Sequence, residues 1–188
     1  MNTQELFDHA KEDLLADGDH APIMYVEYTD AKGQDSVEMF YFADFGAETP
    51  TLEYMQFFGL GAKFGEDHRS VTFDCLTFIS EAWVSHVKPG SKSGIRRPAD
   101  DPNRKEYLIA QVVQLMPTPE GKQQMKQSML RAEIVRPTPD VVDLIEDNDE
   151  FEITRLLFPS YFLAGYSSTQ MPPEQIADIM KNVMRGKQ

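Results

Sequence analysis

The sequence predicts an α+β fold: a mostly antiparallel sheet of five or six strands with about three helices packed on it. Three observations predict it. Strand-like segments follow one another through the middle of the chain without an intervening helix. An amphipathic helical pattern opens the chain, another stands near residue 50, and a third closes it. The βαβ rhythm of a doubly wound sheet is missing. The whole chain, 1–188, is expected to form a single domain, since this length favours one unit.

The elements follow in order. Residues 3–16 read as a helix, with Leu6, Phe7, Ala10, Leu14 and Leu15 at helical spacing and Asp17-Gly18-Asp19 ending it. Pro22 introduces a strand over Ile23–Thr29, Ala31-Lys32-Gly33-Gln34 is turn chemistry, and Val37–Phe42 is a second strand. Residues 22–43 are therefore expected as a hairpin. Thr49-Pro50 is a helix start, with Leu52, Met55, Phe58 and Ala62 facing the core. Gly59, Gly61 and Gly65 weaken that helix and are expected to end it near 64.

Val71–Val84 is rich in β-branched and aromatic residues, with apolar side chains on both alternating faces. It reads as a central buried strand, and so does Glu106–Met116. Met125–Val135 is a further strand with Leu130, Ala132 and Ile134 on one face, although Met125 and Met129 are also spaced for a helix. Pro137 and Pro139 interrupt the pattern. Asp140–Asp147 is expected as a short helix, and Phe151–Phe158 as a strand, with a helix the alternative. Pro172-Pro173 opens a final helix with an apolar stripe of Ile176, Ile179, Met180, Val183 and Met184.

Composition narrows the class. The net charge of −13 opposes broad contact with nucleic acid, whose phosphates it would repel. No stretch approaches the ~20 apolar residues of a membrane helix. The N-terminus MNTQELFDHAKEDLL lacks the basic and apolar regions of a secretory signal. The lone Cys75 can form no disulfide within the chain and no cysteine-based zinc cluster, which fits a reducing compartment. These features point to the cytoplasm, with no cofactor and no metal.

One segment runs against the acidic background. Residues 88–105, KPGSKSGIRRPADDPNRK, carry +4. The loop they occupy, 85–105, joins two strands that look central, and a loop this long is usually functional or disordered. Its glycines and serines supply backbone amides, and its arginines supply forks for carboxylate or phosphate. The candidate binding residues are Arg96, Arg97, Arg104 and Lys105, and the alternative is a solvated loop whose arginines pair with nearby acids.

Other candidates are weaker. Gly59-Leu60-Gly61-Ala62-Lys63-Phe64-Gly65 has its third glycine one position late for a dinucleotide loop. A helix end whose backbone packs closely explains it better. Asp8-His9, Asp19-His20 and Asp67-His68 have no visible route to convergence on a metal. Glu81 and His86 flank Trp83, but their spacing puts them on opposite faces of a regular strand. Cys75 would need a base beside it to act as a nucleophile, but it sits mid-strand between Phe73 and Phe78, where a buried inert thiol belongs. The acidic run from Asp140 to Glu152 fails the EF-hand spacing and reads as a solvated face or a patch for a basic partner.

The expectation from sequence is a protein-binding or assembly module without catalytic residues. Its partner is a protein, basic where it meets the acidic body, and a small anion can bind the loop. The alternative is a small hydrolase or transferase acting on a phosphate or carboxylate substrate, with Arg96, Arg97 and Arg104 holding the anion and Glu81 or His86 moving the proton.

Overall fold

A computed structural model of the chain describes residues 2–42, 48–84, 101–117, 119, 123–138, 141–146 and 157–167. Six strands form one antiparallel sheet: β1 (Ile23–Thr29), β2 (Asp35–Tyr41), β3 (Thr72–Val84), β4 (Lys105–Pro117), β5 (Gln123–Thr138) and β6 (Val141–Glu146). Their order across the sheet is β2-β1-β3-β4-β5-β6. Among the described residues three helices accompany them: α1 (Thr3–Asp17), α2 (Glu48–Arg69) and α3 (Leu157–Tyr166). The fold is α+β, as the consecutive strand patterns predict.

Local chemistry sets the first elements. Asn2 caps α1 by accepting a hydrogen bond from the Gln4 N–H at 3.0 Å. Gly18 ends the helix in the left-handed conformation, φ 84°, and its N–H returns to the Leu14 carbonyl at 2.9 Å. In the β1–β2 turn the Asp30 carboxylate accepts from the Lys32 and Gln34 N–H groups at 2.8 and 2.9 Å. Gly33 supplies the positive φ of 77° there.

The sheet buries both faces, and each has its own apolar cluster. On one, Leu6, Phe7, Ala10 and Leu14 of α1 pack on Ile23, Ile79, Leu108, Ala110, Ala132 and Ile134. Leu15 lies off this stripe and is exposed, contrary to its expected place in it. On the other face, Met55, Phe58 and Ala62 of α2, with Phe158, Phe162 and Tyr166 of α3, cover Met24, Phe73, Leu76, Phe78 and Val113. Each fully buried Leu or Phe here contributes about 1.5–3 kcal/mol. The alternation of β3 between the two clusters explains why its sequence looks apolar on both sides.

Several sequence expectations need correction. Asp140–Asp147 does not hold a short helix: Val141–Glu146 is β6, paired antiparallel with β5. Val142 and Leu144 both pack beside α1, which requires the two-residue period of a strand. Pro137 does not end β5, which runs to Thr138. The register is irregular between Val135 and Thr138, where a proline lacking its N–H can be accommodated. The strand expected over Met125–Val135 is present as β5, Gln123–Thr138, and its helical alternative is not. Of the expected strand Phe151–Phe158, Leu157 and Phe158 instead open α3, while 151–156 lie outside the described residues. The helix expected from Pro172 also lies outside them.

The glycine-weakened helix does not stop near 64 but continues to Arg69. Two glycines let α2 and α3 touch backbone to backbone. A Cβ on Gly59 would sit 2.0 Å from the Phe162 carbonyl oxygen, and one on Gly165 would sit 1.9 Å from that of Gln56. Gly65 differs, because its Cβ would meet only the Val71 side chain, at an ordinary 3.5 Å.

This contrast is measurable by urea unfolding. Gly165→Ala should lose about 2 kcal/mol or more, since overpacking outweighs the gain in helix propensity. Gly65→Ala should be neutral or gain up to about 1 kcal/mol. Equal effects from the two would refute the close contact.

Candidate functional site

The sheet brings two strand ends, one strand tail and the end of α1 together at one corner. Glu106 on β4 lies opposite Trp83 on β3, and Ile134 on β5 lies opposite Glu106. Glu81, Trp83, Glu106 and Arg136 fall on the side chain parity of Ile79, Leu108 and Ile134, which is the α1 side of the sheet.

Arg136 organises the corner. Its Nε donates to Glu106 Oε2 at 3.1 Å, and its Nη2 donates to Glu106 Oε1 and to Glu81 Oε2, both at 3.2 Å. Its Nη1 donates to the Gly18 carbonyl at 2.6 Å. One guanidinium therefore joins three strands to the cap of α1, with a two-point grip on Glu106 that suits its planar fork. Glu81 completes the link by accepting the His20 N–H through Oε1 at 2.5 Å. Burial pushes the His20 imidazole below its usual pKa, and its Nδ1 has no hydrogen-bond partner among the described residues. Burial is also the main reason the Glu81 carboxyl lies above its ordinary pKa. Glu106 adds to the rise, while the His20 N–H and Arg136 oppose it. Both Glu81 oxygens are thus engaged, so acid–base chemistry there would have to break the corner apart.

Immediately beyond lies Trp83, the chain's single indole and 49% exposed. The Arg104 guanidinium sits over its ring at 4.5 Å. The turn into β4 sets this up: Asn103 N–H donates to the Asp101 carboxylate at 2.9 Å, and Arg104 N–H to the Asp101 carbonyl at 3.2 Å. Asp101-Pro102 therefore starts a turn.

The expected binding residues separate. Arg104 joins Trp83 on the α1 side, whereas Lys105 forms a 2.6 Å ion pair with Glu133. Arg96, Arg97 and His86 lie outside the described residues. The acidic run is also divided, since Glu146 pairs with Lys11 at 2.7 Å while Asp140 and 147–152 lie outside the description. His9 lies 3.5 Å from Glu12 on the exposed side of α1. Among the described residues no group of three His, Cys, Asp or Glu could hold a metal ion, and no helix is long and apolar enough to cross a membrane.

The sequence singles out Arg104 as a binding candidate and Glu81 only as a proton carrier, and nothing in it marks Glu106, Arg136 and His20 as their neighbours. No signal within a single strand reveals cross-strand register, which alone sets Glu106 beside Trp83. No protein-family profile, curated protein or solved structure matches this chain.

The Glu81 proton gives the corner a pH signature. Between 4.5, its ordinary value, and its higher folded value, the native state holds more protons than the unfolded chain. Stability from this group is full below the lower value and falls as pH rises through the upper one. The stability of the natural protein minus that of Glu81→Gln should therefore decline with pH over that window in urea titrations. Arg136→Met should move the decline to higher pH and cost about 1–3 kcal/mol at neutral pH. A difference that stays flat with pH would refute the assignment.

Cys75 gives a second check. It is buried, and burial, with Glu27 nearby, pushes its thiol up to about 11. Ellman's reagent should react with it only after denaturation. Rapid reaction of the native protein would contradict the buried position.

Proposed function

We propose that this chain is a non-enzymatic protein-binding or assembly module whose contact surface centres on Trp83, Arg104 and the basic loop 85–105. The observation that carries this reading is the half-exposed indole stacked under a guanidinium beside that loop. Trp and Arg dominate the residues whose truncation costs most at protein interfaces. A pair already stacked before a partner arrives loses less side-chain freedom on binding. The +4 of residues 88–105 favours a partner that presents carboxylates or phosphates to the loop. A basic region of the same partner would meet the acidic body. Nucleic acid fits poorly with the net −13. A free buried thiol fits a reducing compartment such as the cytoplasm.

The test is affinity capture with the natural protein, Trp83→Ala and Arg104→Glu, at low and high salt, after circular dichroism confirms that all three fold. A partner retained by the natural protein, lost by both variants and weakened by salt is the expected result. The purified partner should then shield Trp83 fluorescence from acrylamide. Identical capture by all three proteins, or an unshielded indole in the complex, would overturn the reading.

A further inference from the structure

At the far edge of the sheet β2 pairs with β1 on one side, and no described strand pairs with its other side. Natural edge strands are usually blunted by lysine, proline, a bulge or a short length. β2, DSVEMFY, has no lysine or proline, and its seven residues pair with β1 without a register break. Val37, Met39 and Tyr41 alternate along it and are 46%, 49% and 56% exposed. They share the face of Tyr25, whose phenol has Tyr41 and Asp13 of α1 as electrostatic neighbours. The stripe is therefore apolar, regular and open.

Its charge environment is one-sided. The hairpin carries Glu27, Asp30, Asp35 and Glu38 against Lys32 in the turn. Glu38 and Asp35 are exposed; Glu38 lies on the opposite side of β2 from the apolar stripe, whereas Asp35 stands at the turn end of the stripe's own side. A second copy of the chain fits badly, because two such acidic edges on molecules of −13 would repel.

We propose that the free edge of β2 binds an extended segment of alternating apolar and basic residues, added as a seventh strand. Its backbone would pair with the open side of β2. Its apolar residues would lie beside Val37, Met39 and Tyr41. Its lysines or arginines would fall on the other face, beside Glu38. This surface is separate from the Trp83 corner, so the two proposals stand or fall independently.

The probe is a fluorescein-labelled eight-residue peptide alternating Val or Phe with Lys, followed by anisotropy with the full chain up to about 1 mM protein. Controls are the same peptide with Glu for Lys, and two isomers N-methylated on one or the other set of alternate amides. The Lys peptide should bind at least about tenfold more tightly than the Glu peptide. One N-methyl isomer should lose binding and the other retain it, because only one set of amides faces β2. Met39→Lys and Tyr41→Lys should each weaken binding about tenfold while leaving the melting temperature and Trp83 emission unchanged. Arg104→Glu should leave binding intact. No binding, equal binding of the two N-methyl isomers, or binding indifferent to Met39→Lys would overturn the proposal. Loss with Arg104→Glu would also overturn it, by moving the peptide to the other site.

Discussion

The structure depends on β3 and β4 being buried on both faces at once. A strand in that position needs an apolar layer above and below, and one helix can supply only one of them. The helices α1 on one side, and α2 with α3 on the other, are therefore parts of a single constraint. The constraint also fixes register. A slip of one residue along β3 would send Ile79 into the α2–α3 layer and Phe78 against α1. The two clusters differ in kind. The α1 side is mostly aliphatic, with Phe7 and Tyr25 its aromatic members, whereas the other side is built on rings, with Phe78 against Phe158 at 4.4 Å and Phe73 against Phe162 at 4.9 Å. Large rings fill the second layer only if α2 and α3 sit close together, which is where Gly59 and Gly165 enter.

This dependence explains what a reader of the bare sequence could see. The strands β1 to β5 and helix α1 follow from periodicity and turn residues, because those signals are local. Helix α3 was hidden for a local reason: LFPSYFLAGY carries Pro159 and Gly165, two residues that argue against a helix. Pro159 lies in the first turn, where its missing N–H costs little. Gly165 is required by contact with α2, a tertiary fact. The same holds for the length of α2. Its glycines look like a fraying end in isolation and are a packing surface in the fold.

The corner at Arg136 was illegible for a different reason. Glu81, Glu106 and Arg136 lie on three strands separated by long stretches of chain, and Gly18 and His20 come from the end of the first helix. Only the pairing of Trp83 with Glu106, and of Glu106 with Ile134, brings them together. The basic loop stands out by its charge, yet the two of its four candidate residues that are described serve different faces. Arg104 joins an exposed ring, and Lys105 joins Glu133 in an ion pair. Charge counted along the sequence could not foresee that division, since neighbouring residues at the start of a strand diverge by geometry alone.

Two arginines on the α1 side thus perform opposite tasks a few residues from one another in space. Arg136 spends its donors inward on Glu81, Glu106 and the Gly18 carbonyl, fastening α1 to the sheet. Arg104 lies over Trp83, at the outer margin of the same corner. The inner arginine neutralises carboxylates that would otherwise repel one another at the base of the indole. A rigid base lets an exposed aromatic group remain in place without a partner, and preorganised groups lose less freedom when a partner docks. On this view the ionic corner and the stacked pair form one unit. The corner's geometry would set the affinity of the surface beside it. Weakening Arg136 should then loosen Trp83 even though the two residues need share no direct bond.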